Sequence, residues 1–153
     1  MIRVAFALFC ALTALQVIFS APAAAAATKC FAQASARYGV PAELLRAISH
    51  VESGGNPSAM NVNKNGSTDI GHMQINSAWL PTLARHGITS KHLMQPCTNT
   101  QVGAWILAAN IRRLGYNWRA VGAYNASNKD KATTYARKVA VAMQKLQQKE
   151  SGL

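Results

Sequence analysis

Acidic side chains are scarce in this chain of 153 residues. Five Asp and Glu residues stand against 16 Lys and Arg, so the formal net charge is +11 at pH 7. An excess of this size favours a polyanionic partner or surface. Nucleic acid is one polyanion, but the sequence lacks the interleaved aromatic and basic residues of a known nucleic-acid module. We therefore expect no nucleic-acid partner, and an anionic cell wall or membrane surface suits the charge better.

Residues that bind metals or attack substrates directly are also few. The chain has three cysteines and four histidines, and none of the histidines pair at a metal-ligand spacing. We interpret the histidines as surface or cleft-edge side chains: His50, His72, His86 and His92. Neither a serine or cysteine nucleophile motif nor a phosphate-binding loop is present. The sequence therefore predicts no metal site.

Long hydrophobic runs are missing except at the N-terminus. Residues 4–19 are almost wholly apolar, Arg3 precedes them, and small residues rich in alanine follow up to Ala27. This three-part order is typical of a secretory signal peptide. The apolar run is short for a membrane span, which needs roughly 20 residues. We therefore expect cleavage near Ala27, export to the periplasm or medium, and no membrane span after processing.

The rest of the chain is predicted to form one domain. Residues 28–148 are enough for a single hydrophobic core, with residues 149–153 as a C-terminal tail. Two cysteines remain after processing, Cys30 and Cys97. In an exported protein, such a pair is typical of a disulfide bond rather than of a metal site. We expect the domain to be a monomer.

Apolar residues recur mainly at helical spacing, which predicts a predominantly α fold of the α+β class. Helices are predicted at residues 29–38, from Pro41 to the Gly54-Gly55 pair, and at residues 98–114 and 131–148. Thr98 opens the third of these with the spacing of a capping box. The Asn65-Gly66 pair predicts a small irregular β-hairpin, and the pattern becomes helical again from Gly71.

Because the mature chain has only five carboxylates, each can be considered singly. Glu43 suits the start of a helix, Asp130 suits a loop or cap, and Glu150 lies in the tail. Glu52 lies in the last turn of its helix, where the helix dipole disfavours a carboxylate. Asp69 lies in a short polar block. Neither residue has such a simple structural explanation.

Glu52 and Asp69 have the properties that glycoside cleavage requires. That reaction needs one carboxyl group that stays protonated near neutral pH, and often a second that stays ionised. Apolar surroundings raise the pKa of the first, and a polar setting keeps the pKa of the second low. Glu52 follows the apolar stripe of its helix, whereas Asp69 follows Ser67 and Thr68. The pattern therefore makes Glu52 the candidate acid and Asp69 the second candidate carboxylate.

Three ordered motifs resemble one enzyme family. The sequence E-S-G-G-N-P-S-A begins at Glu52, G-H-M-Q-I-N begins at Gly71, and A-Y-N-A begins at Ala123. They are similar to the motifs of lytic transglycosylases with the soluble-transglycosylase catalytic domain. The resemblance covers residues 30–139, where Tyr135 and Val139 are similar to the closing helix of that domain.

The resemblance implies a lysozyme-like fold and cleavage of the MurNAc–GlcNAc β-1,4 bond of peptidoglycan, with formation of 1,6-anhydroMurNAc. It implies that Glu52 is catalytic and that further motif residues shape the site or bind substrate: Ser53, Met73, Gln74, Tyr124 and Asn125. Asn76, which closes the second motif, is counted with them. Neither a metal nor a cofactor is implied. The small size and the cysteine pair resemble specialised members that serve type III or type IV secretion systems or pili, whose components would be partners besides the glycan strands.

Two features depart from that family. His72 stands where the motif usually has leucine, and it would make the surroundings of the acid more polar or alter the grip on the glycan. The G-S-T-D block that ends at Asp69 resembles animal-type lysozymes, which carry a second carboxylate 17 positions after the first, as here. A hydrolase that uses Glu52 and Asp69 is therefore one alternative. A non-catalytic cell-wall-binding assembly factor is another.

Overall fold

A computed structural model describes residues 21–152, and the side chains of residues 28–152. The predicted signal peptide at residues 1–27 lies outside the part of the chain whose side chains are described. Seven α-helices occur in the described part: α1 (Ala21–Tyr38), α2 (Ala42–Ser53), α3 (Leu80–Ala84), α4 (Ser90–Leu93), α5 (Pro96–Leu114), α6 (Trp118–Asn125) and α7 (Lys129–Glu150). None of these helices has the length and apolar character that a membrane span needs.

Helix α2 brings Glu52 to the edge of the core. It begins after Pro41, whose φ of −56° suits a helix start. Its buried face includes Leu44, Leu45 and Ile48. The helix ends because Gly54 adopts a φ of 64°, and its N–H donates to the carbonyl of His50. Glu52 therefore lies in the last turn, as the sequence predicted.

The β structure is a three-stranded antiparallel sheet in the order β1 (Met60–Val62), β2 (Thr68–Ile70) and β3 (Ile75–Asn76). The predicted hairpin at Asn65-Gly66 is present, with Gly66 at a φ of 82°. The helical pattern predicted from Gly71 is wrong for the next residues, because Ile75 and Asn76 pair with β2. Two strand residues are too few for a period-2 pattern to be recognised in a sequence.

Helix α5 runs through the centre of the domain, as its apolar residues predicted. Its buried side chains include Val102, Ala104, Ile106 and Leu107. The predicted start is wrong, since the helix begins at Pro96 rather than after Thr98. Proline lacks a backbone N–H group, and the first turn of a helix does not need one. Pro96 can therefore begin the helix before the predicted cap.

The other long helices pack around this centre. Helix α1 packs along α5, and α7 packs against both α2 and α6. Asparagine side chains cap the last two helices: Asn117 accepts hydrogen bonds from the first turn of α6, and Asn128 does so for α7. A disulfide joins Cys30 on α1 to Cys97 on α5, with a Cα–Cα distance of 4.9 Å. The predominantly α fold and the predicted disulfide are confirmed.

Candidate active site

The sheet, α2 and α6 together form a cleft of about 620 Å³. Most of the residues that the motifs singled out line it: Glu52, Asp69, Gln74, Asn76, Tyr124 and Asn125. The cleft also contains side chains that the motifs did not include, among them Asn63, Lys64, Asn65, Ser67 and Trp79. Residues from distant parts of the sequence are thus brought to one concave surface.

The carboxyl group of Glu52 is chemically unusual. Its pKa is raised from 4.5 to about 7 in total: burial is the largest cause, a hydrogen bond from Tyr135 opposes the rise, and the negative charge of Asp69 adds to it. A carboxyl group with a pKa near 7 is protonated in a large fraction of molecules at neutral pH. It can therefore donate a proton and, once ionised, accept one.

Two tyrosines support Glu52. The hydroxyl of Tyr135, on α7, donates to Glu52 Oε1 at 2.6 Å. The ring of Tyr135 stacks on that of Tyr124, with centroids 6.5 Å apart and an interplanar angle of 11°. Burial and the nearby Glu52 raise the pKa of both tyrosines, which keeps their hydroxyl groups protonated as donors. Since Oε1 accepts from Tyr135, Oε2 is the oxygen left to carry the acidic proton.

Asp69 has a polar setting. Its Oδ2 accepts a hydrogen bond from the Asn63 amide at 2.9 Å, and its Oδ1 accepts one from the Asn76 amide at 2.6 Å. Asn76 faces it directly across the β2–β3 pair. Both carboxylate oxygens of Asp69 therefore accept a hydrogen bond from an asparagine amide.

A buried side chain, Asn99 on α5, helps to hold the segment between β2 and β3. Its amide nitrogen donates to the carbonyls of Ile70 and Leu93, and its Oδ1 accepts from the Met73 N–H at 2.7 Å. A side chain on Gly71 would collide with Asn99, so the close approach requires glycine. Asn99 thereby positions the second motif against the core.

Met73 and Ser53 lie beneath the cleft rather than in its lining. Met73 is fully buried, and its carbonyl accepts a hydrogen bond from the Tyr124 hydroxyl at 3.0 Å. A Cβ at Gly103 would collide with the Met73 sulfur, so glycine lets α5 approach this side chain. The Ser53 hydroxyl donates to the carbonyl of His72 at 2.9 Å. Both residues therefore support the motif segment from below.

The interpretation of His72 as a surface or cleft-edge residue is wrong. Its side chain is buried and packs edge-on against the Phe31 ring, away from the cleft lining. Nε2 lies 3.1 Å from the Pro96 carbonyl, so this nitrogen carries the hydrogen, and Nδ1 accepts from the Ser49 hydroxyl at 2.8 Å. Burial lowers the pKa of His72, and the hydrogen bond to Pro96 raises it. The imidazole joins α2 to α5 and does not contact the acid.

Two tryptophans form the aromatic side of the cleft. Trp79 lines the cleft and its side chain is 36% exposed, which leaves an aromatic face for a sugar ring. Trp105 packs against the core and meets Trp79 edge-on, with centroids 5.3 Å apart. Trp105 therefore fixes the orientation of Trp79.

Sequence reasoning missed three contributors to this site: Tyr135, Asn63 and Asn99. In the sequence, Tyr135 is noted only for its similarity to the closing helix of the family, and Asn99 only follows the predicted cap Thr98. Asn63 precedes the Asn65-Gly66 turn. Its closeness to Asp69 in the sequence was the one feature that could have indicated its role in the site. Among the side chains of residues 28–152, no three His, Cys, Asp or Glu residues come together as a metal site.

A small helical domain with a three-stranded sheet, and a cleft that holds a glutamic acid of raised pKa, defines the lysozyme-like class of glycan-cleaving proteins. Residues 29–147 match the family described as Transglycosylase SLT domain. The chain belongs to this family, and it is a peptidoglycan lytic transglycosylase with a lysozyme-like fold.

Three curated proteins illustrate the similarity. The chain is 44% identical to "Invasion protein IagB" of Salmonella typhimurium over 72% of each chain. It is 43% identical to "Protein IpgF" of Shigella flexneri, over 67% of this chain and 68% of that protein. It is 39% identical to "X polypeptide" of Escherichia coli, over 76% of this chain and 69% of that protein.

Proposed function

We propose that Glu52 cleaves the MurNAc–GlcNAc β-1,4 bond of peptidoglycan, first as general acid and then as general base, and leaves a 1,6-anhydroMurNAc end. One observation carries the proposal. Glu52 lies in the cleft wall with its pKa raised to about 7, and its Oε1 accepts the Tyr135 hydrogen bond. This arrangement suits a group that exchanges one proton with a substrate twice in each turnover.

In the first step, the protonated Glu52 donates its proton to the glycosidic oxygen. The bond between that oxygen and C1 of the muramoyl ring breaks, and positive charge develops on the ring. Glu52 becomes a carboxylate. The hydroxyl of Tyr135, which donates to Oε1 at 2.6 Å, stabilises the new negative charge.

In the second step, the C6 hydroxyl of the same sugar attacks C1. Its proton passes to the Glu52 carboxylate, so the enzyme returns to its starting state. The reaction consumes no water. The aromatic face of Trp79 and the polar side chains of Gln74, Asn76 and Asn125 line the cleft in which the glycan would lie.

A hydrolase is the second candidate, and Asp69 is the observation that favours it. Asp69 lies in the same cleft as Glu52, with each carboxylate oxygen bound by an asparagine amide. In this alternative, Asp69 stabilises or captures the ring carbon, and water then completes the reaction to a free reducing end. The family favours the first reaction over this one.

We further propose that the protein is exported through residues 1–27 and acts in the periplasm. Opening the peptidoglycan mesh locally would serve assembly of a secretion system or pilus. The relatives from Salmonella that are named invasion proteins support such a role. The disulfide between Cys30 and Cys97 suits an oxidising compartment.

Product analysis tests the proposed reaction. Peptidoglycan is digested with the purified protein, and the muropeptide ends are identified by mass spectrometry. We expect mainly 1,6-anhydromuramoyl ends, which are lighter than hydrolysed ends by one water. Mainly hydrated reducing ends would instead support the lysozyme-like alternative, with Asp69 as the second carboxylate.

A further inference from the structure

A second groove lies beside α6 and takes no part in the proposed chemistry. It has a volume of about 1040 Å³ and is lined by residues of α5, α6 and α7 and of the turn between the last two helices. Four consecutive residues at the end of α6 and just after it separate the two cavities: Ala123 and Ala126 line the groove, whereas Tyr124 and Asn125 line the cleft. The two cavities share no lining residue. A ligand in the groove would therefore leave the catalytic cleft open.

The rim of this groove is basic. Four cationic side chains line it, from three helices: Arg113, Arg119, Lys129 and Arg137. None of the described residues that line it is acidic. Within the described part of the chain, the ion pairs are those of Arg46 with Glu43 and Glu150. The charges of the rim are thus not used to hold the fold together, and they suit a negatively charged ligand.

The floor of the groove is apolar and made of small side chains. Ala132, Ala136 and Ala140 recur every four residues on α7, which puts them on one face over about 12 Å. Ala123 on α6 and Ala126 just after that helix add to this surface. Trp118, whose side chain is 47% exposed, contributes an indole ring at the same groove. Small residues let another backbone approach closely, and the indole provides an apolar anchor.

We propose that this groove binds an acidic amphipathic helix of a partner protein. The apolar face of such a helix would lie on the alanine floor and beside Trp118. Its carboxylates would pair with the arginines and the lysine of the rim, and arginine offers two donors to each carboxylate. An apolar floor with a charged rim is the surface that helix-in-groove recognition uses.

The concave shape and the apolar floor favour this ligand over other anions. A bilayer surface is flat and would touch the rim cations without filling the groove. A phosphate polymer or a single muropeptide would leave most of the alanine floor uncovered. The proposal does not depend on which reaction Glu52 performs, since the groove and the cleft have separate linings.

A synthetic helix provides the probe. We would use a labelled acidic peptide of about 20 residues, with leucine and alanine on one helical face and glutamate on the other. Binding to the purified protein is followed by fluorescence polarisation. Three comparison ligands accompany it: the same peptide with lysine in place of glutamate, phosphatidylglycerol vesicles, and a disaccharide-tetrapeptide muropeptide.

The matched variants reverse equal numbers of charges inside and outside the groove. Arg119→Glu with Arg137→Glu changes the rim, and Arg85→Glu with Lys91→Glu changes exposed cations that line neither cavity. We expect the rim variant to bind the acidic peptide at least about tenfold more weakly and the control variant to bind nearly as well as wild type. Both variants should retain wild-type cleavage of soluble glycan fragments, which also establishes that they are folded.

Three outcomes of the binding assay would overturn the proposal. The acidic peptide fails to bind, or both variants weaken its binding equally, which indicates attraction by net charge alone. Alternatively, vesicles or the muropeptide bind with the same dependence on Arg119 and Arg137 while the peptide does not.

A photo-crosslinking residue at Thr133, which lines the groove, adds a test in cells. We expect a crosslink to a protein segment with acidic, amphipathic sequence, and crosslinking only to lipid or glycan would contradict the proposal.

Discussion

The Tyr135 hydroxyl donates a hydrogen bond of 2.6 Å to Glu52 Oε1, although the two residues are 83 positions apart in the sequence. The bond joins the last helix to the end of α2 at the wall of the cleft. It stabilises the ionised carboxylate and so opposes the effect of burial on the pKa of Glu52. The balance of these two effects leaves a group that can both donate and accept a proton near pH 7.

Replacement of the proposed acid should abolish most of the activity. Glu52→Gln keeps the size and polarity of the side chain but cannot exchange the proton. Because general acid–base groups contribute about 10²–10⁴-fold, we expect a loss of that order in the release of muropeptides. Glu43→Gln, which changes an exposed carboxylate at the start of α2, is the control and should be nearly silent. A folded Glu52→Gln protein with activity within a few-fold of wild type would refute the assignment.

The same replacement should change how stability depends on pH. The pKa of Glu52 rises from 4.5 to about 7 on folding, so between these values the unfolded state loses its proton first. The free energy of unfolding therefore falls as pH rises from about 4.5 to about 7, by roughly 3 kcal/mol in total from this group. The Glu52→Gln variant lacks this titration. Its free energy of unfolding relative to that of wild type should therefore rise by the same amount as the pH rises through this interval. Urea denaturation at several pH values measures the difference, and parallel stability curves would contradict the prediction.

Tyr135→Phe should shift the pH profile of activity toward higher pH. The variant loses the hydrogen bond that favours ionised Glu52, so the pKa of Glu52 rises above its value of about 7. Activity depends on protonated Glu52, and its decline with rising pH should therefore begin at higher pH. The rate itself should fall, because the carboxylate formed in the first step is less stabilised. The control is Tyr116→Phe, at a side chain that is 67% exposed, and an unmoved profile in Tyr135→Phe would argue against the coupling.

Asp69→Asn should shift the pH profile of activity toward lower pH. The charge of Asp69 raises the pKa of Glu52, so its removal lowers that pKa and shifts the decline of activity to lower pH. The rate should also fall, since one of the two asparagine amides loses its acceptor. We expect turnover to continue with 1,6-anhydro ends. An inactive variant, together with hydrated ends from the wild type, would favour the hydrolase.

Loss of the disulfide should lower the melting temperature. The bridge between Cys30 and Cys97 closes a loop with a sequence separation of 67, for which the chain-entropy model gives about 4 kcal/mol of stabilisation. We expect the double variant with Cys30→Ser and Cys97→Ser to melt below the oxidised wild type. A reducing agent should lower the melting temperature of the wild type to that of the variant, and it should leave the melting temperature of the variant unchanged. Equal melting temperatures of the variant and the oxidised wild type would indicate that the bridge adds no stability.

Several elements could be predicted because their signals are local. The apolar stripe of α2 and the glycine after it determine where Glu52 lies in its helix, and the Asn65-Gly66 turn determines the hairpin. The start of α5 and the strand β3 were not predicted. A proline in a first helical turn and a pair of strand residues both depend on neighbours in space that a short sequence window does not contain.

His72 illustrates the limit of a motif as a guide to the site. Its position in the second motif suggested a cleft residue, yet its ring lies between α2 and α5, bound to Ser49 and Pro96. Backbone direction decides this, since the tight turn that begins at Gly71, with a φ of 73°, directs His72 into the core and leaves Gln74 at the cleft.

The sequence by itself determined the family, the predominantly α fold and the pairing of Cys30 with Cys97, and it made Glu52 the candidate acid. These follow from ordered motifs, from helical periodicity and from a small number of carboxylates. Only the tertiary structure brought Tyr135 to Glu52, put Asn99 behind the second motif, and formed the basic groove beside α6. The physical reason is that hydrogen bonds and cavities between helices depend on how the helices pack, and packing joins residues that are distant along the chain.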